Sequence, residues 1–352
     1  MNKVIGRIYS YDIMRFVAIL AVIMIHTSAI FVISSDGTTA DFVLANVLDS
    51  LSRFSVPLFL MISGALMLNE KKEIDNKKIF RSAAGFFVLL VVWSIIYSLY
   101  DTVLLPYLSS SPISIKSAIL SAIKGYGHLW YLYVTVGLYL ITPVLRLFVK
   151  LKNNKTVKYF LILSVAVCFA TPFVNTVVSV CLPGNSFVSQ YVSKFELGFL
   201  TEYLTYYILG WYLSNIEIKK HTRIWIYVAG AAGLIITVVG THLFYHDSGA
   251  DFYSYSMLNI LAYSTSVFVF IFYLLKKKDL SKHKKLLTAQ SGLTFGVYLI
   301  HCIFISVFER LSTNLTATPL KILIIFTGTA ICSFASVFII SKIPLIRKLV
   351  RG

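Results

Sequence analysis

The chain has 352 residues, 57% of them hydrophobic and only 13% charged, with a mean hydropathy of +0.79 and a net charge of +17. A soluble domain carries about 25% charged residues, so the composition excludes an ordinary soluble fold and places the chain among multi-span helical membrane proteins. In a soluble protein such a basic excess would suggest nucleic acid; here its distribution along the chain points to membrane topology, and no nucleic-acid partner is expected.

Ten apolar segments read as transmembrane helices: 11–34, 44–68, 79–104, 128–149, 157–180, 197–215, 224–244, 256–275, 290–310 and 318–341. Most exceed the roughly 20 residues that cross a hydrocarbon core. The sixth is short and rich in tyrosine (Tyr203, Tyr206, Tyr207, Tyr212). With the N-terminus taken as cytoplasmic, the basic clusters fall on one side: Lys71 to Arg81, Arg146 to Lys158, Lys219 to Arg223, the KKKDLSKHKK run at 276–285, and Lys342 to Arg351. The opposite side holds only Lys116, Lys124, Lys194, Arg310 and Lys321. The positive-inside rule then puts both termini in the cytoplasm and requires an even number of spans. The expected fold is an all-α, polytopic helical bundle, with one membrane domain over residues 1–352.

The first span carries Asp12, Arg15 and His26. A helix turns about 100° per residue, so the eleven steps from Arg15 to His26 return to within roughly 20° of the same direction, about 16 Å along the axis. An ionisable side chain deep in a bilayer costs about 2.5–3.5 kcal/mol on insertion scales, and such residues line cavities and pathways. The second span holds Arg53 among Ser52, Ser55 and Pro57. Running back from its outer end, it brings Arg53 to the depth of His26, roughly 12–13 Å below the outer surface. Pro57 removes one helical hydrogen bond, and Ser63 with Gly64 offers a small-residue face for close packing. The external loops 105–127 and 181–196 carry turn signals: Pro106 and Ser109 to Pro112 in the first, Pro183 to Asn185 in the second.

The fourth span opens with His128 and Trp130, which read either as part of an interfacial aromatic belt or as an outer-mouth site where a sugar stacks on Trp130 and His128 meets a hydroxyl. Tyr298 and His301 lie one turn apart in the middle of the ninth span, where both need partners. Near the cytoplasmic ends, Arg15, Lys77, Lys78, Arg81 and Arg146 could gather round a phosphate, though topology alone accounts for Lys77, Lys78 and Arg81. The four cysteines lack metal-ligand spacing and read as small packing residues; no metal is expected. No Walker loop, His-Glu-x-x-His run or nucleophile elbow is present in the sequence.

Four stretches together resemble the membrane acyltransferases of acyltransferase family 3: YDIMRFVAILAVIMIHTS (11–28), SRFSVPLFLMISGALML (52–68), GHLWYLYVTVGLYLITPVLR (127–146) and FGVYLIHCIF (295–304). Through ANVLDSLSRFSVPLFLMISG (45–64) the chain looks most like surface-polysaccharide O-acyltransferases of the enterobacterial common antigen O-acetyltransferase type. The resemblance implies transfer of an acyl group, usually acetyl, from cytoplasmic acyl-CoA to a hydroxyl of an extracytoplasmic or lipid-linked glycan, across a bacterial cytoplasmic membrane. It maps the family's essential first-helix arginine and histidine onto Arg15 and His26, the second-helix arginine onto Arg53, the basic position after that helix onto Arg81, and the His-Leu-Trp motif onto His128 and Trp130.

The combined expectation is an O-acyltransferase. His26 and Arg53 are its catalytic pair, Arg15 and Arg81 hold the donor, and His128, Trp130, Tyr298 and His301 contact substrate. Acyl-CoA, a surface glycan and membrane lipid are the expected partners, with no tightly bound cofactor. A transporter or flippase for an anionic glycan or lipid is the rival reading, because buried arginines and histidines mark such pathways too. A scaffold of a polymer-export complex is a third, and it predicts a polar face that tolerates substitution.

Overall fold

A computed structural model describes residues 8–70, 72–150, 154–182, 187–248, 250–276 and 278–350. Lys71, Lys277, Arg351 and the Pro183 to Asn185 turn therefore lie outside the described residues. Among the described residues there is no strand, and nine helices are long and apolar enough to cross a membrane. Large apolar side chains such as Ile33, Leu147 and Ile331 stand on the outer wall of the bundle, where lipid replaces water as the solvent. The all-α, multi-pass expectation holds.

The helices used below are α1 (Tyr9–Ser34), α2 (Ala40–Ser52), α3 (Ser55–Met67), α4 (Asn76–Leu99), α5 (Trp130–Lys150), α6 (Asn154–Val165), α7 (Thr171–Cys181), α8 (Glu202–Asn215), α9 (Lys220–Ser248), α10 (Leu258–Leu275), α11 (Lys284–Leu311) and α12 (Thr318–Lys342). Helix α1 is the hub and packs against α2, α3, α10, α11 and α12. Consecutive pairs α9–α10 and α11–α12 also pack together, and α4 lies along α5.

Helices α2 and α3 are the two halves of a single span, Ala40–Met67, broken at Arg53 and Phe54. The break has a local cause. Pro57 has no N–H to give the Arg53 carbonyl, so the turn between them opens. Thr39 caps the start of α2, its side chain accepting the Phe42 N–H at 3.2 Å.

The sixth expected span is shorter than the pattern suggested. Its helix, α8, covers only Glu202–Asn215, 14 residues. That is too few to cross lipid alone. It need not do so, because Tyr206, Tyr207 and Ile208 are fully enclosed by protein. Irregular backbone at membrane depth is tolerated where protein buries it, and Leu200, ahead of the helix, is buried. The helix still connects the two levels of the bundle. Tyr203 at its start lies 5.3 Å from the Trp130 ring, and Ser214 at its end accepts the Tyr11 hydroxyl at 2.9 Å.

Two glycines set the close fit of α8 on α3. A Cβ at Gly64 would run into the Tyr207 carbonyl oxygen, and one at Gly210 into that of Met61. The small-residue face expected at Gly64 is therefore used, against a helix whose place the sequence did not reveal. The external loops also differ from simple turns: Ile115–Lys124 and Phe187–Ser193 are helical. Among the cysteines, Cys168 is buried as expected, whereas Cys181, at a helix end, is exposed.

Candidate active site

One cavity of about 760 Å³ runs through the centre of the bundle. Arg15 and His26 both line it, as the eleven-residue spacing on α1 requires, and Arg53 reaches it from the break between α2 and α3. The cavity is graded along its length. Its floor, at the Arg15 level, carries Lys342, Ser341 and Thr288. Its waist is mainly apolar, with Val22, Phe59, Phe86 and Phe295, and carries the rings of Tyr131 and Tyr139 against Phe59 and Phe86. Its far end holds His26, Arg53, His128 and Trp130. At 1.5 Å per residue, the two polar ends are separated by roughly 16 Å of helix axis.

Each end is held by its neighbours. At the floor, Arg15 lies 3.7 Å from the Asp12 carboxylate, one turn earlier on α1. The chain after α12 folds back so that Val350 also lines the cavity, secured where the Trp93 indole N–H donates to the Leu349 carbonyl at 2.8 Å.

At the far end, Arg53 donates from Nε to Asp49, one turn before it on α2. The Asp49 side chain is wholly buried, and its second oxygen accepts the Ser28 hydroxyl of α1 at 3.1 Å. The Arg53 guanidinium also lies over the Tyr253 ring, 4.1 Å from its centre. Tyr253 is fixed in turn by donating its hydroxyl to Asn46 Oδ1 at 2.7 Å. The guanidinium is thus aimed by an ion pair on one side and an aromatic face on another. Such a cation has little freedom to reorganise.

Three histidines from three helical segments meet beside it. The ring centre of His26 lies 5.1 Å from that of His301 and 6.3 Å from that of His128. His301 is fully buried and does not line the cavity. Its Nδ1 lies 2.7 Å from the Tyr298 carbonyl oxygen. A carbonyl can only accept, so Nδ1 carries the proton and Nε2 is left as an acceptor facing Cys302 Sγ at 3.4 Å. Tyr298 donates its hydroxyl to the His128 carbonyl at 2.8 Å. His128 itself is buried, and among the described residues neither ring nitrogen has a partner at ordinary hydrogen-bond geometry.

His301, expected to touch substrate, stands beside His26 and outside the cavity lining, its ring turned to α11's own backbone and to Cys302. Arg146, considered for a phosphate site, donates instead to the Met67 carbonyl at the end of α3 and to the Lys72 carbonyl in the loop that follows. Arg81 is exposed on the first turns of α4 and is not among the residues that line the cavity. Tyr298 lines it while its hydroxyl is held by backbone.

Sequence reading passed over Asp49, Tyr255 and Lys342. Asp49 was detectable as an acid four residues before a buried arginine. Lys342 was counted only as a topology signal. The metal-capable atoms of His26, His301 and Cys302 lie within 4.8 Å of one another.

A many-helix membrane bundle with histidine and arginine buried at the end of an internal passage defines a multi-pass membrane protein with an intramembrane reaction or transport site. The model of a family described as an acyltransferase domain, acyltransferase family 3, matches residues 8–338. The chain belongs to that family, and a membrane acyltransferase is the class its site must serve. Among curated proteins and among solved structures, none matches the chain.

Proposed function

We propose that the protein moves an acyl group, acetyl in the first instance, from cytoplasmic acyl-CoA to a hydroxyl of an extracytoplasmic or lipid-linked surface glycan, in a bacterial cytoplasmic membrane. One observation carries this reading: a single cavity joins the cationic floor at Arg15 and Lys342 to His26 and Arg53 at the far end. With the basic side cytoplasmic, the phosphates of CoA sit at the floor, where arginine and lysine bind phosphate well. The pantetheine arm fits the apolar waist, and the thioester arrives beside His26. Arg81, exposed beyond the floor, meets only the nucleotide end of the donor.

Chemistry follows from the groups at the far end. His26 takes the proton from the acceptor hydroxyl as oxygen attacks the thioester carbonyl, since imidazole suits proton transfer near neutral pH. Arg53 faces the negative charge that develops on the carbonyl oxygen, and its fixed aim is what makes such a cation effective. The C–S bond breaks, and the proton held by His26 passes to the departing thiolate, which leaves as CoA thiol. His301 and Ser28–Asp49 act by positioning His26 and Arg53.

The test uses purified protein in vesicles with radiolabelled acetyl-CoA and base-de-esterified surface polysaccharide as acceptor. Wild type should release CoA and label the polysaccharide. His26→Ala should lower the rate by about 10²–10⁴-fold, the usual size of a lost acid–base group, while acetyl-CoA still binds. Normal transfer by His26→Ala would remove His26 from the reaction. Movement of glycan across the vesicle without CoA release would establish a transporter instead.

A further inference from the structure

A second, more open chamber of about 400 Å³ adjoins the first, with Asp251 exposed at its edge, and the two share three walls: Arg53, Trp130 and Tyr255. Its other sides are Tyr203 at the start of α8, Tyr245 at the end of α9, and Asp251, Tyr253 and Ser254 from the connection into α10. Elements far apart in the chain thus bring five aromatic rings, one carboxylate and one guanidinium around a space of the size that takes a small ligand, roughly 300–1,000 Å³. Trp130 forms a continuous aromatic wall with its neighbours. Its ring centre lies 5.3 Å from Tyr203 and 5.7 Å from Tyr255, at interplanar angles of 38° and 33°.

We infer that this chamber is the acceptor site and that it takes an uncharged pyranose ring, with Asp251 binding its hydroxyls. The inference rests on the acyl-transfer reading above. A sugar ring offers C–H faces that pack on aromatic rings, and hydroxyls that donate to a carboxylate. One Asp251 oxygen already accepts the Tyr253 N–H at 2.9 Å, which fixes the carboxylate's orientation. An ionised ring meets a like charge whichever sign it carries, Arg53 for an ammonium and Asp251 for a carboxylate or phosphate, so its one opposite partner does not offset the cost of leaving water. The shared wall sets the geometry of transfer: a ring stacked on Trp130 in the second chamber extends its hydroxyl past Arg53 into the first cavity, where His26 and the thioester lie.

The experiment is steady-state kinetics of the full chain in vesicles, with acetyl-CoA as donor and base-de-esterified polysaccharide from cells that carry the gene as acceptor. Asp251→Asn keeps an oxygen for the Tyr253 N–H, so the turn survives while the charge is lost. It should raise the acceptor KM about tenfold, the loss of a charge-assisted hydrogen bond, with the acetyl-CoA KM and kcat within about twofold of wild type. Tyr203→Ala should move the acceptor KM in the same direction. Neutral methyl hexopyranosides should compete with the polysaccharide, and glucosamine and glucuronate should compete less.

Wild-type transfer combined with unchanged acceptor KM in both variants overturns the chamber assignment and leaves the acyl-transfer reading standing. So does a change confined to acetyl-CoA, while stronger competition by glucosamine or glucuronate overturns the uncharged-ring assignment. Absence of transfer by the wild type overturns both readings.

Discussion

Asp49→Asn isolates what the ion pair at the far end contributes. The substitution preserves shape and leaves one carbonyl oxygen to accept from Arg53, but it strips the countercharge from a guanidinium whose partner side chain is 0% exposed. Removing one member of a buried pair costs about 3–5 kcal/mol, and the retained amide oxygen argues for about 3. A domain of 150–250 residues loses roughly 2–4 °C of Tm per kcal/mol, so this longer chain should melt on the order of 6 °C lower. Activity should fall further than stability suggests. An Arg53 displaced by an ångström from the developing oxyanion loses about 10²-fold in rate. The double variant Asp49→Asn with Arg53→Gln separates the two effects. It carries no orphaned charge, so most of the melting temperature should return while transfer stays lost. Tryptophan-fluorescence melting in vesicles and labelled acetyl transfer measure both quantities on one preparation. An Asp49→Asn protein that melts within a degree of wild type and transfers at the normal rate would refute the claim that Asp49 aims Arg53.

Arg15→Lys keeps the charge at the cavity floor but loses the planar fork that binds phosphate by two bonds; acetyl-CoA affinity should weaken several-fold, and an unchanged value by calorimetry would take Arg15 out of the donor site. Lys342→Gln should raise the acetyl-CoA KM more than Arg81→Gln does, because Lys342 lines the cavity and Arg81 does not; equal effects, or the reverse order, would contradict the mouth drawn here. Gly64→Ala forces a methyl against the Tyr207 carbonyl and should cost about 1–3 kcal/mol through overpacking. Gly85→Ala on α4, where an added Cβ meets nothing within 4 Å, is the matched control. Equal melting of these two variants would refute the tight α3–α8 contact.

The features legible in the sequence were those fixed by one helix and one membrane. Helical period alone put Arg15 and His26 on one face. Insertion depth then brought Arg53 level with His26, because charge asymmetry orients each span and rise per residue sets the height of each side chain. Rotation about the helix axis relative to other helices has no such ruler. That is why Trp130, Tyr203 and Tyr255 could each be read as belt aromatics, although together they form the wall between two chambers. It is also why the sixth span was drawn over 197–215: nothing in the pattern shows that its helix can stop at Glu202–Asn215 because α3 presents a glycine to it and protein encloses it.

Lys342 shows a different reason for a missed residue. The same lysine satisfies the positive-inside rule and lines the cavity floor. An inserted helix ends in basic residues on the cytoplasmic side, and under the proposed reaction a passage for a polyanionic donor opens on that same side. Topology and donor binding therefore select the same residue types at the same depth. Composition cannot separate them; only the presence of Ser341 and Lys342 in the cavity lining opens the second role to this end of α12.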